Sequence, residues 1–283
     1  MLKKLEKQDF DRYVEFAYRL ASDMTKSGYP TYADGIKTKD DFVSRAREAF
    51  LNDNEEILLF ERDGKVSGWI HYFHIPEDKY LDTCAFCITE GTDEALAEFT
   101  AYARGKFSGY ELYLGFPKDN IEAVAALDRS GFERIEESYN NVLDFEHYIP
   151  LPESKNVIPI TRDNFKLFSV IHSQQDDDMY WSSEKILADI DNWSIYVYIL
   201  KEEVKGAIYL RKDNSMSEIF GVDFPNNIYD GDAYRALLTT ALNDCKRNGT
   251  RHMVFFNEGE SQPDAIACGF RRVGEYVCYK IEL

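Results

Sequence analysis

Residues 131–137 read Gly-Phe-Glu-Arg-Ile-Glu-Glu, and residues 269–275 read Gly-Phe-Arg-Arg-Val-Gly-Glu, 138 positions later. The same offset joins Val66-x-Gly68-x-Ile70 to Val204-x-Gly206-x-Ile208. Two separated motifs sharing one offset mark a duplicated unit of about 140 residues.

Outward from these motifs, both halves predict the same order of elements. In the first, Phe10, Val14, Ala17 and Ala21 recur at helical spacing, and Thr38-x-x-Asp41 opens a second helix over 40–51. Asp63-Gly64 between apolar runs signals a hairpin. A helix follows over 93–104, a strand over 111–116, and a helix from Asp119 to Ser130 with Gly131 just past its end. The second half gives helices at 162–172 and 183–190, strands at 194–201, 204–211 and 216–223, and an amphipathic helix at 232–247. The opening strands, 2–5 and 157–160, pair at an offset of 155, so the first half carries 17 extra residues early on. Residues 147–156 hold two prolines and no period, and read as a linker. The expected domains are therefore 1–146 and 157–283. Hairpins set among helices indicate an α+β class, with a mixed, mostly antiparallel sheet flanked by helices in each domain.

Composition narrows the function. A net charge of −18 argues against a non-specific nucleic-acid binder, which needs basic surface to displace counterions. It suits a cationic partner such as an amine, and equally a surface kept soluble by its charge. No run of 18 apolar residues speaks for a membrane span. The charged start Met1-Leu-Lys-Lys-Leu-Glu-Lys has no apolar h-region, and five cysteines fit a reducing compartment, so a cytoplasmic protein is expected.

The element order, with Gly-Phe after a short helix and V-x-G hairpins before it, resembles the GNAT superfamily of acetyl-CoA-dependent N-acetyltransferases, one copy per half. Asn120-x-x-Ala123 stands 11 and 8 residues before Gly131-Phe132, as in that family's second signature. The family's tyrosine, a general acid, falls on Leu127, and Glu90-Gly91-Thr92-Asp93 stands where its glycine loop would be. In the second half, Val222-Asp-Phe-Pro225 ends the fourth strand as the family's first signature does. That alignment places Tyr229, Asp232 and Tyr234 at the Gln, Gly and Gly/Ala positions of the loop, while Asn257 lies 12 residues before Gly269 and Ala265 replaces the tyrosine.

The resemblance implies acetyl transfer from acetyl-CoA to an amine of a small molecule or peptide, in a fold whose sheet opens to admit a pantetheine arm. It places the cofactor at Val222, Phe224, Gly231, Asp232, Ala233, Tyr234, Arg235 and Asn257, and a general base at Glu218. The physical basis is a diphosphate held by free N–H groups at a helix start. Asp230 and Asp232 would repel such an anion, so the alternative is a non-catalytic binding module on the same scaffold. Acidic residues in a first helical turn also have an ordinary role, complementing the dipole. Cys84-x-x-Cys87 is no metal expectation: on a regular strand the two face opposite ways, and no second Cys pair completes a site. His71 and His74 likewise read as imidazoles of opposite faces. Met179-Tyr-Trp181 after Asp176-Asp-Asp178 is an aromatic–acidic cluster that could bind a cation.

Overall fold

The computed structural model describes residues 1–28, 32–174, 180–211 and 216–283. Its strands are β1 (Leu2–Lys4), β2 (Glu55–Arg62), β3 (Lys65–Ile75), β4 (Tyr80–Ile88), β5 (Glu111–Pro117), β6 (Glu133–Asp144), β7 (Val157–Pro159), β8 (Trp193–Leu200), β9 (Glu203–Arg211), β10 (Met216–Asp223), β11 (His252–Asn257) and β12 (Arg271–Glu282). Its helices are α1 (Phe10–Ala21), α2 (Lys39–Glu48), α3 (Thr92–Lys106), α4 (Ile121–Arg129), α5 (Lys166–His172), α6 (Ser183–Ala188), α7 (Gly231–Arg247) and α8 (Gln262–Ala267). The sequence reading of an α+β fold with mixed sheets holds.

Two compact units form, and they do not follow chain order. Unit 1 comprises Met1–Ser138 and Gly274–Leu283; unit 2 comprises Tyr139–Val273. Division at 147–156 traces the duplication, whereas packing exchanges the closing strands. In unit 1 the sheet order is β1-β2-β3-β4-β5-β12, and in unit 2 it is β6-β11-β10-β9-β8-β7. Strand β12 pairs antiparallel with β5 from Tyr276↔Pro117 to Glu282↔Glu111. Strand β6 pairs antiparallel with β11 from Tyr139↔Asn257 to Asp144↔His252. Gly115 makes the first seat possible, since the ring of Tyr276 occupies the space a Cβ there would take.

Each sheet buries both faces. In unit 1, α3 and α4 cover Phe60, Tyr72, Phe86, Leu114, Val277 and Tyr279, while α1 and α2 cover Leu59, Trp69, Ala85 and Cys87. The apolar stripe seen in α1 is its buried face: Phe10, Val14, Ala17 and Ala21. Helix α2 begins at the expected capping box, Thr38 and Asp41 satisfying each other's main-chain N–H groups. In unit 2, α7 and α8 cover Ile208, Leu210, Ile219 and Phe255, while α5 and α6 cover Val197, Ala207 and Tyr209.

Two features of register position the functional region. Each fourth strand carries a bulge: Cys84 is the extra residue between the pairs His71↔Ala85 and Tyr72↔Thr83, and Phe220 between Ile219↔Leu210 and Gly221↔Tyr209. The parallel pairs then part. β4 and β5 are joined only at Tyr80↔Glu111 and Leu81↔Leu112. β10 and β11 hold from Met216↔His252 to Ile219↔Phe255 and separate beyond.

Candidate functional site

A parted pair of parallel strands leaves main-chain N–H and C=O groups without a ladder, and such groups demand partners. The two units answer this demand differently. In unit 1 the chain itself fills the gap: Gly28 N–H donates to the Phe86 carbonyl at 2.6 Å, and Ile88 N–H donates to the Lys26 carbonyl at 3.1 Å. Residues 26–28 thus run as a short extra strand along β4. Gly28 permits the approach, because a Cβ there would meet Phe86 Cβ and N at 3.1 Å. Asn120 caps α4 by accepting from Ala123 N–H, and its Nδ2 donates to the Ser27 carbonyl at 3.0 Å, pinning the segment. Ala85–Ile88 are consequently all buried.

In unit 2 no described residue takes up the same edge. Phe220, Gly221 and Val222 are half-buried, and among the described residues no main-chain hydrogen bond reaches them on the side facing β11. In the same unit, a cleft of about 620 Å³ is lined by Lys205, Pro225, Asn226, Ile228, Tyr229, Asp230, Gly231, Asp232 and Arg235. The structure therefore gathers Gly231, Asp232 and Arg235 of the expected cofactor residues into one cleft.

The others stand apart. Val222 lies on the open edge; Phe224 is buried against Tyr229, with ring centroids 5.6 Å apart. Ala233 and Tyr234 are core residues of α7, and the Tyr234 hydroxyl is buried beside Ser261 and Asn257. Asn257 belongs to a buried amide network: its Oδ1 accepts from Asn141 Nδ2 at 2.5 Å, and its Nδ2 donates to Ser261 at 2.9 Å. Glu218 is half-buried on β10, two residues before the bulge and opposite Arg211.

Whether a diphosphate suits the α7 start can be decided from its N–H groups. Asp230 is the N-cap, and its Oδ1 accepts from both Asp232 N–H and Ala233 N–H at 3.0 Å. Arg235, the nearest cation, is committed to Asp264 at 2.7 Å and Asp232 at 2.5 Å. A carboxylate already sits where the anion would, so the residues present do not fit a diphosphate there. The α3 start in unit 1 is the reverse case. Gly91 is its N-cap in the left-handed region (φ 77°), no side chain caps it, and the Arg62 side chain lies beside it. Among the described residues, unit 2 thus has the unpaired edge and unit 1 the uncapped helix start.

Sequence reasoning missed a buried pair near the open edge. His172 Nδ1 lies 2.7 Å from Asp223 Oδ2, and its Nε2 lies 2.8 Å from the Trp181 carbonyl. A carbonyl only accepts, so Nε2 carries the proton that meets Trp181, and the buried contact with Asp223 makes His172 a tie between α5 and β10. The tie places Trp181 beside Trp193 (5.2 Å) and near Phe220 (6.4 Å). Of the aromatic–acidic cluster, Asp176–Met179 lie outside the described residues. The cations over its described rings are the chain's own: Arg211 at 4.9 Å from the Trp181 centroid and Lys185 at 3.8 Å from that of Tyr180.

One sequence expectation is corrected. The bulge breaks the alternation of β4, so Cys84 and Cys87 do not face opposite ways: Cys84 Sγ meets Arg45 of α2, on the face where Cys87 is buried. His71 and His74 do point apart, His71 toward Glu55 and His74 toward Phe107.

No family model matches the chain, and no curated protein matches it in sequence. Solved structures do match in three dimensions. A GCN5-related N-acetyltransferase from Sphaerobacter thermophilus aligns over 100% of this chain and 95% of its own, with a TM-score of 0.65 at 12% identity. A tandem GNAT protein from the clavulanic acid biosynthesis pathway aligns over 100% and 98%, with a TM-score of 0.55 at 13% identity. A GNAT-family acetyltransferase from Colwellia psychrerythraea aligns over 99% of both chains, with a TM-score of 0.50 at 12% identity. Duplicated elements, a bulged fourth strand, a parted parallel pair in each unit and likeness over the full length agree: this chain has the GNAT acetyltransferase fold, in tandem.

Proposed function

We propose that the protein is an N-acyltransferase that moves an acetyl group from acetyl-CoA to an amine of a small molecule or peptide, working in unit 2. The observation that carries this reading is the half-exposed edge Phe220–Val222, left unpaired among the described residues. A pantetheine arm carries two amides, and a strand edge satisfies amides as another strand would. Phe220 is bulged at this edge, and a main-chain N–H group freed from the ladder there would polarise a carbonyl. An acceptor amine reacts only when uncharged, and Glu218, on the strand that forms the edge, is the candidate to accept its proton. Charge over the whole surface favours a cationic acceptor.

The carboxylate at the α7 start supports a second reading, a binding module that has given up coenzyme A. Thermal-shift titration with acetyl-CoA and with acetyl-pantetheine, which lacks the diphosphate, separates the two. Either donor at 100 times its dissociation constant should stabilise a two-state unit by about 2.7 kcal/mol. Indifference of the melting temperature to millimolar concentrations of both sinks the transferase reading and leaves the binding module. Asp230→Asn keeps an acceptor oxygen for the cap while removing the charge. It should tighten acetyl-CoA about fivefold, roughly 1 kcal/mol, and leave acetyl-pantetheine unchanged.

A further inference from the structure

On the face of unit 1 covered by α1 and α2, three chemically different donors converge. Glu55 of β2, His71 of β3 and Cys84 of β4 have their ligand atoms all within 4.8 Å of one another. Strand register explains the meeting. Glu55 lies two residues from Ile57, the partner of His71, so carboxylate and imidazole share a face. His71 pairs with Ala85, and the bulge turns the preceding Cys84 onto that face as well. The His71 and Glu55 side chains are 3% and 9% exposed, and 2.9 Å separates Nε2 from Oε2. Behind them, Asn52 Nδ2 donates to Glu55 Oε1 at 2.9 Å and fixes the carboxylate's orientation.

A carboxylate this deep requires a cation. Here the cation is a side chain rooted on α2: Arg45 Nη1 lies 2.5 Å from Glu55 Oε2, and its Nη2 lies 3.1 Å from Cys84 Sγ. That side chain is 34% exposed, and Nη1 is also 3.6 Å from Glu48 on the same helix, so it has somewhere to go. Thiol, imidazole and carboxylate together are the donor set of zinc and its borderline neighbours.

We infer that Glu55, His71 and Cys84 bind a zinc-like divalent cation, which replaces the Arg45 guanidinium. The Cys84 S–H bond breaks, its proton leaves to solvent, and sulfur bonds the metal; no electron is transferred. Thiolate and carboxylate neutralise the two positive charges, neutral His71 supplies nitrogen, and Arg45 retires to Glu48. Three protein donors leave one tetrahedral position for water. The site is independent of acyl transfer in unit 2.

Cobalt(II) titration of the reduced full-length chain tests this, because cobalt bound to thiolate gives a charge-transfer band in the near ultraviolet. The expected result is one band saturating at one equivalent, bleached by zinc, absent in Cys84→Ser and retained in Cys87→Ser. Arg45→Met removes the competing cation at similar length and should tighten cobalt at least tenfold. Melting curves of the metal-free variants confirm that each is folded. No band in wild type or in Arg45→Met overturns the site, as does a band that survives in Cys84→Ser. Equal affinity in wild type and Arg45→Met overturns the exchange with the guanidinium.

Discussion

Asp82 shows how one side chain can tie stability to pH. It lies on β4, where the Tyr80 hydroxyl donates to Oδ2 at 2.8 Å and Thr83 N–H to Oδ1 at 2.6 Å. Desolvation of this half-buried side chain nonetheless outweighs both and pushes its carboxyl up to about 7. The folded value is raised above the unfolded one near 4, so folding favours the protonated form. That stabilisation is complete below about pH 4 and is lost as pH rises to about 7. Asp82→Asn stays neutral, so its stability between pH 5 and pH 8 should change less than the wild type's, as denaturant melts at both values would show. A constant difference between the two proteins across that range would refute the assignment. At this scale the sequence is legible where chemistry is local: Thr38 and Asp41 sit three residues apart and cap one helix. It is illegible at Cys84, because alternation assumes a regular strand and a single bulged residue reverses the face.

Helices and strands were readable because burial imposes periods of 3.6 and 2 on their residues, and α1 and the Asp63-Gly64 hairpin lie where those periods put them. What periodicity does not encode is where two parallel neighbours stop pairing. The opening after Leu81 and its closure by residues 26–28 are therefore invisible in the amino-acid order. Gly28→Val tests that closure. Its new methyls meet Phe86, and crowding of this kind costs about 1–3 kcal/mol. Hydrogen exchange at the Ile88 amide, which donates to Lys26, should accelerate while β2 keeps its protection. Unaltered exchange at Ile88 would show that residues 26–28 tolerate the side chain and do not depend on this close approach. The same limit applies at α7: Asp230 is a favourable cap residue by type, but only the structure shows its carboxylate holding both N–H groups.

Across the whole molecule, the repeat was legible and the exchange of closing strands was not. Both copies end in a strand of the same pattern, and apolar alternation selects a face without naming a neighbour. The exchange sets what can fold alone. Fragment 157–283 lacks β6, and fragment 1–146 lacks β12 with Val277 and Tyr279 of its core. Each buried side chain of that size is worth about 1.5–3 kcal/mol, against a total stability of about 5–15. Neither fragment should fold separately, whereas fragment 139–273 should. Circular dichroism and proton NMR dispersion of the three would decide it. A cooperative melt from 157–283 alone would contradict the exchange.

The path of the chain also has a temporal meaning. Residues 139–273 are contiguous, so every piece of the later unit is synthesised before Gly274 is added. The earlier unit waits for its sixth strand until Gly274–Leu283 are made, and its β5 edge stays bare meanwhile. Vectorial synthesis ordinarily lets the N-terminal part mature first. Here a chain lacking residues 274–283 would hold every strand of its second unit and leave the first without its sixth.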